Sequence, residues 1–279
     1  MSEYRGPDTL VETAWLAAHL EDSDIRIIEV DEDTTAYHKG HIPGAVGWHW
    51  FEDLHAAPRR DYIDQAGLNA LLGRAGVGPA TTVVLYGGNN NWFAAYAYWL
   101  LRYLGVDDVK LLNGGRKKWE LENRTLVEDI PEYPATDVHI NTPVRTELRA
   151  FRDDVLQLLG RVGFVDVRSP EEYRGELMAP AHLPQEQAQV PGHIPGAANV
   201  PWSRAANDDG TFRSADELIA LYGGAGVEPN REIIAYCRIG ERSAHTWFVL
   251  HELLGYPSVR NYDGSWTEYG SLVGVPVEI

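Results

Sequence analysis

The 279-residue sequence predicts an α/β protein built from two copies of one unit, each a mainly parallel sheet with helices on both faces. Three observations predict it. Short apolar, β-prone runs alternate with longer stretches of helical periodicity, an order that implies parallel strands joined by crossover helices. The two halves match at an offset of 150 residues, with Tyr86 on Tyr236, Leu104-Gly105 on Leu254-Gly255 and Gly114 on Gly264. His41-Ile-Pro-Gly-Ala45 also recurs, as His193-Ile-Pro-Gly-Ala197.

In the first copy the pattern gives a helix over 13–20, a strand over 26–30, a turn at 41–44 and a short strand over 46–48. A helix over 65–72, a strand over 82–86, a helix over 92–104 and a strand over 109–112 follow. The second copy places strands near 164–167, 199–200, 233–236 and 259–262. Each Pro-Gly pair marks a tight turn leading into a strand, so His41 and His193 read as turn residues rather than metal ligands. The stretch 125–144 carries Pro131, Pro134 and Pro143 with mixed charges and little periodicity, and reads as an extended linker. The expected organisation is an N-terminal domain over 1–124, the linker, and a C-terminal domain over 145–279.

Twenty-four basic against 41 acidic residues leave a formal charge of −17, which argues against a nucleic-acid or anionic-membrane partner. No run of apolar residues is long enough to cross a bilayer, and the polar start lacks a signal-peptide pattern, so a soluble cytoplasmic protein is expected. The single cysteine allows no internal disulfide and no multi-cysteine metal site. An anionic substrate must therefore be held by arginines at its site, because distant carboxylates are screened beyond about 8 Å.

That cysteine, Cys237, stands where the apolar run Ile233–Tyr236 ends and the helical pattern from Ala244 onward begins. A core cysteine would lie among apolar neighbours; this one opens the polar stretch Cys237-Arg-Ile-Gly-Glu-Arg-Ser243. Backbone N–H groups at such a junction and the guanidinium groups of Arg238 and Arg242 are expected to lower the thiol pKa and yield a nucleophile at neutral pH. Glu241 works the other way, since a negative charge in the loop raises the thiol pKa. At the 150-residue offset Cys237 falls on Gly87, Arg238 on Gly88 and Arg242 on Trp92, so the first copy has the loop without nucleophile or cation.

The Cys237–Ser243 loop after an apolar strand, the repeated His-Ile-Pro-Gly-Ala turn and Tyr262-Asp-Gly-Ser-Trp266 resemble the rhodanese family of sulfurtransferases over essentially the whole chain. The resemblance implies two tandem rhodanese-like domains, the first inactive and the second catalytic. The activity it implies is a double displacement: Cys237 takes the outer sulfur of thiosulfate as a persulfide and passes it to cyanide or a thiol, with no cofactor or metal. Arg238, Ile239, Gly240, Glu241, Arg242 and Ser243 would line the substrate loop. Arg174 matches by position a substrate-binding arginine of the family, and Arg168 and Asp263 resemble a supporting pair behind the loop. Residues 176–192 lack a counterpart in the first copy and are expected to border the entrance.

Alternatives stay open. A family relative acts on 3-mercaptopyruvate through a less basic loop, and the two arginines here favour thiosulfate. A cysteine phosphatase or arsenate reductase fits less well, since phosphatases use Cys-x5-Arg and this loop is Cys-x4-Arg. The remaining reading is a sulfur carrier or binding module without turnover.

Overall fold

The computed structural model describes residues 3–58, 60–179 and 187–279, and the chain forms two compact units. One comprises Asp8–Arg145 with Asp208–Thr211; the other comprises the N-terminal residues to Pro7, Thr146–Asn207 and Phe212–Ile279.

The N-terminal unit runs β1 (Leu10–Val11), α1 (Thr13–Ala18), β2 (Ile25–Asp31), α2 (Thr35–Lys39), β3 (Val46–His49) and α3 (Trp50–Leu54). It continues with β4 (His55–Ala56), β5 (Asp61–Tyr62), α4 (Gln65–Arg74), β6 (Thr82–Tyr86), α5 (Trp92–Tyr103), β7 (Val109–Leu112) and α6 (Gly115–Leu121). Five strands form one parallel sheet in the order β1-β7-β6-β2-β3, and β4 and β5 make a small antiparallel hairpin. Strand residues alternate faces: Val84 and Tyr86 of β6 join Leu16 of α1 and Trp119 of α6 in one core cluster. Helix α5 is buried all round apart from Trp92 and Arg102, as its continuous apolar sequence requires, and packs on β2, β6 and β7.

The C-terminal unit repeats the plan with β8 (Arg149–Ala150), α7 (Arg152–Leu158), β9 (Gly163–Asp166), α8 (Pro170–Tyr173), β10 (Ala198–Asn199) and α9 (Ala215–Gly223). Then come β11 (Ile233–Tyr236), α10 (Glu241–Trp247) with a π-helical continuation Phe248–Leu253, β12 (Val259–Tyr262) and α11 (Ser265–Tyr269). Its parallel sheet has the order β10-β9-β11-β12-β8, the same as in the first unit. Phe164, Ile234, Tyr236 and Tyr262 meet Val155, Trp266 and Tyr269 in its core.

The repeated His-Ile-Pro-Gly turn has a structural job in both copies. Tyr86 and Tyr236, at the ends of the central strands, accept the N–H groups of Ile42 and Ile194, each at 3.0 Å. His41 Nδ1 donates to the Tyr37 carbonyl at 2.9 Å, and His193 Nδ1 to that of Tyr173 at 2.8 Å, each imidazole stacked on its tyrosine.

Residues 125–144, read from their prolines as a linker, belong to the N-terminal unit. Val127 bridges to His41, Tyr133 Oη donates to the Gly44 carbonyl at 2.8 Å, and Thr142 accepts from Gln65 Nε2 at 2.7 Å. At the other end, Tyr4 Oη donates to Arg213 O at 2.7 Å and Arg5 N to Leu253 O at 2.8 Å, so this segment packs with the C-terminal unit.

Candidate active site

Cys237 follows the carboxyl end of β11, the central strand of its sheet, where parallel α/β folds place their ligands. Strand β11 is buried throughout, and so is the whole loop Cys237–Ser243. Gly240 sets the curl with φ of +100°, and a Cβ there would lie 2.6 Å from Asp263 Cα. The turn brings the Gly240 N–H back onto Sγ at 3.1 Å. Ser243 Oγ meets Asn261 Oδ1 at 2.6 Å, and Asn261 Nδ2 donates to the Gly240 carbonyl at 3.0 Å, tying the loop to β12.

Two residues outside the loop hold it. Ser265, at the start of α11, accepts the Cys237 N–H on Oγ at 3.0 Å and donates to the Tyr262 carbonyl at 2.7 Å. It does so from a left-handed backbone with φ of +53°, a conformation a serine adopts only where its surroundings enforce it. Glu172 takes Arg242 bidentately, at 2.9 and 3.1 Å, with both side chains buried. Glu172 is itself fixed by a capping box: its carboxylate accepts the Ser169 N–H at 3.1 Å while Ser169 Oγ accepts the Glu172 N–H at 3.2 Å. Burial alone would raise the Glu172 pKa, but the charge and hydrogen bonds of Arg242 hold it below the usual carboxylate range.

The sulfur is completely buried and its thiol pKa is pushed up, first by that burial and then by the charge of Glu241, whose Oε2 lies 3.5 Å away. Arg242 and the N–H groups of Ser243 and Gly240 pull it back only in part. The expectation of a depressed thiol is therefore corrected: burial of the sulfur, with the Glu241 carboxylate facing it, outweighs the pull of Arg242. Glu241 is raised as well, chiefly by burial, with Arg242 opposing.

The other expected residues separate into two groups. Arg238, Ile239, Gly240, Glu241, Arg242 and Ser243 are all buried around Cys237. Arg174 instead lies at the end of α8 with half its side chain exposed, and its guanidinium holds Glu176 at 2.8 and 2.9 Å. Arg168 and Asp263 do not pair with each other. Arg168 closes on Asp166 at 2.5 Å, lies over Trp266 and caps the Gly192 carbonyl at 2.7 Å, while Asp263 is held by Arg149 at 2.9 and 3.0 Å. Of the insertion 176–192, residues 180–186 lie outside the described residues; Val190 O accepts the Trp266 indole N–H at 3.1 Å.

Glu172 and Ser265 were missed from the sequence although both left a signal. Ser169-Pro-Glu-Glu172 is a capping-box pattern that fixes a carboxylate in the first turn of a helix. Ser265 falls at the repeat offset on Gly115, which has φ of +54°, so a side chain stands where the other copy has glycine.

A sheet of this topology, with a cysteine loop after its central strand and a degenerate copy of the same unit, defines a tandem-repeat α/β protein with one cysteine loop. The rhodanese-like domain model matches residues 12–122 and 151–272, and the chain belongs to that family. A protein of Saccharopolyspora erythraea named "Putative thiosulfate sulfurtransferase" is 57% identical over 97% of this chain and 96% of its own length. Sulfur carrier protein TtuD of Thermus thermophilus is 52% identical over 98% of each chain. Among solved structures, YnjE is similar with a TM-score of 0.86 at 26% identity, over 99% of this chain and 70% of its own. A cysteine-persulfide form of EanB with ergothioneine has a TM-score of 0.85 at 25% identity, over 100% of this chain and 72% of its own. No helix among the described residues is long and apolar enough to cross a membrane.

Proposed function

We propose that the protein is a sulfurtransferase that moves the outer sulfur of thiosulfate to a thiol or cyanide acceptor by double displacement, with a persulfide on Cys237 as intermediate. The observation that carries this reading is the Gly240 N–H aimed at Sγ from 3.1 Å inside a buried loop that Arg238 and Arg242 flank. Such donors stabilise the charge of an added sulfur without moving, and fixed dipoles in a water-poor site are worth most at that step. Arg238 would take the sulfonate end of the donor, because guanidinium presents paired donors to oxyanions, while Arg242, its two terminal nitrogens held by Glu172, would add only its charge. The relatives named as thiosulfate sulfurtransferases and the persulfide carried by EanB support the same chemistry.

The test is side-by-side turnover of thiosulfate and 3-mercaptopyruvate. Thiosulfate is expected to be the better donor, with Cys237→Ser inactive on both. Arg238→Gly is expected to lower kcat/KM for thiosulfate by about tenfold to a hundredfold, the worth of a charge-assisted hydrogen bond, and to affect mercaptopyruvate less. Equal losses would argue against selection by charge. The resemblance to TtuD favours a second reading, a sulfur carrier. It predicts that Cys237 loads once and releases its sulfur only to a protein acceptor.

A further inference from the structure

Sγ of Cys237 has a carboxylate beside it that the double displacement written above does not use. Glu241 opens α10 four residues after the cysteine, and the turn at Gly240 folds its side chain back until Oε2 lies 3.5 Å from Sγ. Both groups are buried. A thiolate and a carboxylate in contact away from water repel strongly, and one proton held between them removes the repulsion.

The other charged groups around this pair are matched among themselves. Arg242, next on α10, is held by Glu172 of α8, and Asp263, behind Gly240, is held by Arg149 of β8. Asp166 and Arg168, at the end of β9, neutralise one another. Arg238, the remaining loop cation, draws the Glu241 pKa down. Tyr236 and His245, the titratable neighbours on β11 and α10, are both kept neutral by burial, which lowers the His245 pKa to about 3. The proton count of the site can therefore change at Cys237 and Glu241. Burial raises the pKa of both, and the thiol is placed to donate to Glu241 Oε2 across the 3.5 Å between them.

We propose that Glu241 is the acid–base residue of sulfur transfer, taking the proton of Cys237 as the thiol attacks and returning it as the sulfur leaves; this deepens the sulfurtransferase reading and rests on it. In the first half-reaction the Glu241 carboxylate accepts the Sγ proton while Sγ bonds to the outer sulfur of thiosulfate. The sulfur–sulfur bond of the donor breaks and its electron pair leaves with sulfite. An anionic persulfide then lies beside a neutral carboxylic acid. In the second half-reaction a thiolate or cyanide attacks the outer sulfur, the bond to Sγ breaks, and Sγ receives both the electron pair and the proton of Glu241. Charge and protons balance within the site in each half, and no proton is drawn from solvent.

Glu241→Gln keeps the shape of the side chain and removes the base. Persulfide loading, read by sulfite release and intact mass, is expected to be nearly level for the native protein between about pH 6 and 8. The variant is expected to be slower by about a hundredfold at neutral pH. Its rate should rise about tenfold per pH unit, because its thiol must ionise to solvent. A variant that is unslowed, or slowed equally at every pH, overturns the proposal while leaving sulfur transfer intact. A native protein that takes no sulfur from thiosulfate overturns the reading beneath it. On the native protein itself, difference infrared spectroscopy is expected to show a protonated-carboxyl band gained on loading and lost on discharge; its absence also overturns the proposal.

Discussion

The loop after β6 and the loop after β11 occupy the same place in the same strand order, yet one is latched by its own side chain and the other is built around a sulfur. In the first, Asn91 Oδ1 accepts the Gly87 N–H at 3.0 Å and Asn91 Nδ2 donates to the Leu112 carbonyl at 2.5 Å. In the second, the equivalent N–H of Cys237 and carbonyl of Tyr262 are both served by Ser265, at the start of α11. Position 91 corresponds to 241 and position 115 to 265. The two exchange roles: a Cβ on Gly115 would meet Asn91 Oδ1 at 2.2 Å, so the latch can come from Asn91 only while position 115 is glycine. Moving the latch to Ser265 frees position 241 to carry a glutamate that faces the sulfur.

A second exchange accompanies it. Glu29 of β2 and Asp166 of β9 each hold a buried guanidinium that caps a glycine carbonyl ahead of the His-Ile-Pro-Gly turn. Arg116 of α6 supplies it in the first unit and Arg168 in the second, where Trp266 takes the place of Arg116 and stacks under Arg168. The position of Arg168 is filled in the first unit by Asp31, whose carboxylate accepts the Gly88 N–H at 2.7 Å. That loop already holds an anion of its own.

The largest expected difference between the loops is chemical. Gly87→Cys introduced together with Cys237→Ser is expected to leave sulfite release at background, because the Gly87 and Gly88 N–H groups of the first loop are taken and a carboxylate lies beside it; recovered turnover would break the comparison. Next in size is Glu172→Ala, which leaves Arg242 buried without its carboxylate. It is expected to cost about 3–5 kcal/mol in urea unfolding.

Ser265→Gly should cost about 1–3 kcal/mol for the stranded N–H and carbonyl. Relief of the left-handed backbone returns roughly 1 kcal/mol of that. Adding Glu241→Asn rebuilds the latch of the first loop, and a double-mutant cycle is expected to show recovered stability with no recovered activity. The smallest effect is Asp31→Asn. Burial raises the Asp31 pKa from 3.8 to about 6, so the folded unit loses stability as pH rises between those values. The asparagine variant is expected to match the native protein in thermal unfolding below about pH 4 and exceed it above about pH 6, following that linkage.

How much of this could be read beforehand depended on length and locality. The central strands β6, β7, β11 and β12 were legible to the residue because each is a compact apolar run bounded by turn signals. The edge strands β1 and β8 were not, since two residues carry no periodicity, and neither was the β4–β5 hairpin. The loop around Cys237 was legible because its residues are consecutive. Its supports come from α8 and α11, far along the chain, and only the capping box at Ser169 and the serine opposite Gly115 hinted at them. The pairing of Arg168 with Asp263 failed because two unlike charges in sequence do not say which of several carboxylates a buried guanidinium will meet. The thiol pKa was misjudged because counting loop arginines left out the burial of the sulfur, which raises it most, ahead of the charge of Glu241.

The most direct measurement is peptide-resolved mass spectrometry of the native protein after brief exposure to thiosulfate and removal of the excess. One added sulfur atom on the peptide that contains Cys237, discharged by cyanide or a small thiol with recovery of the original mass, is the predicted result. An unchanged mass, or a sulfur carried elsewhere in the chain, would contradict the account.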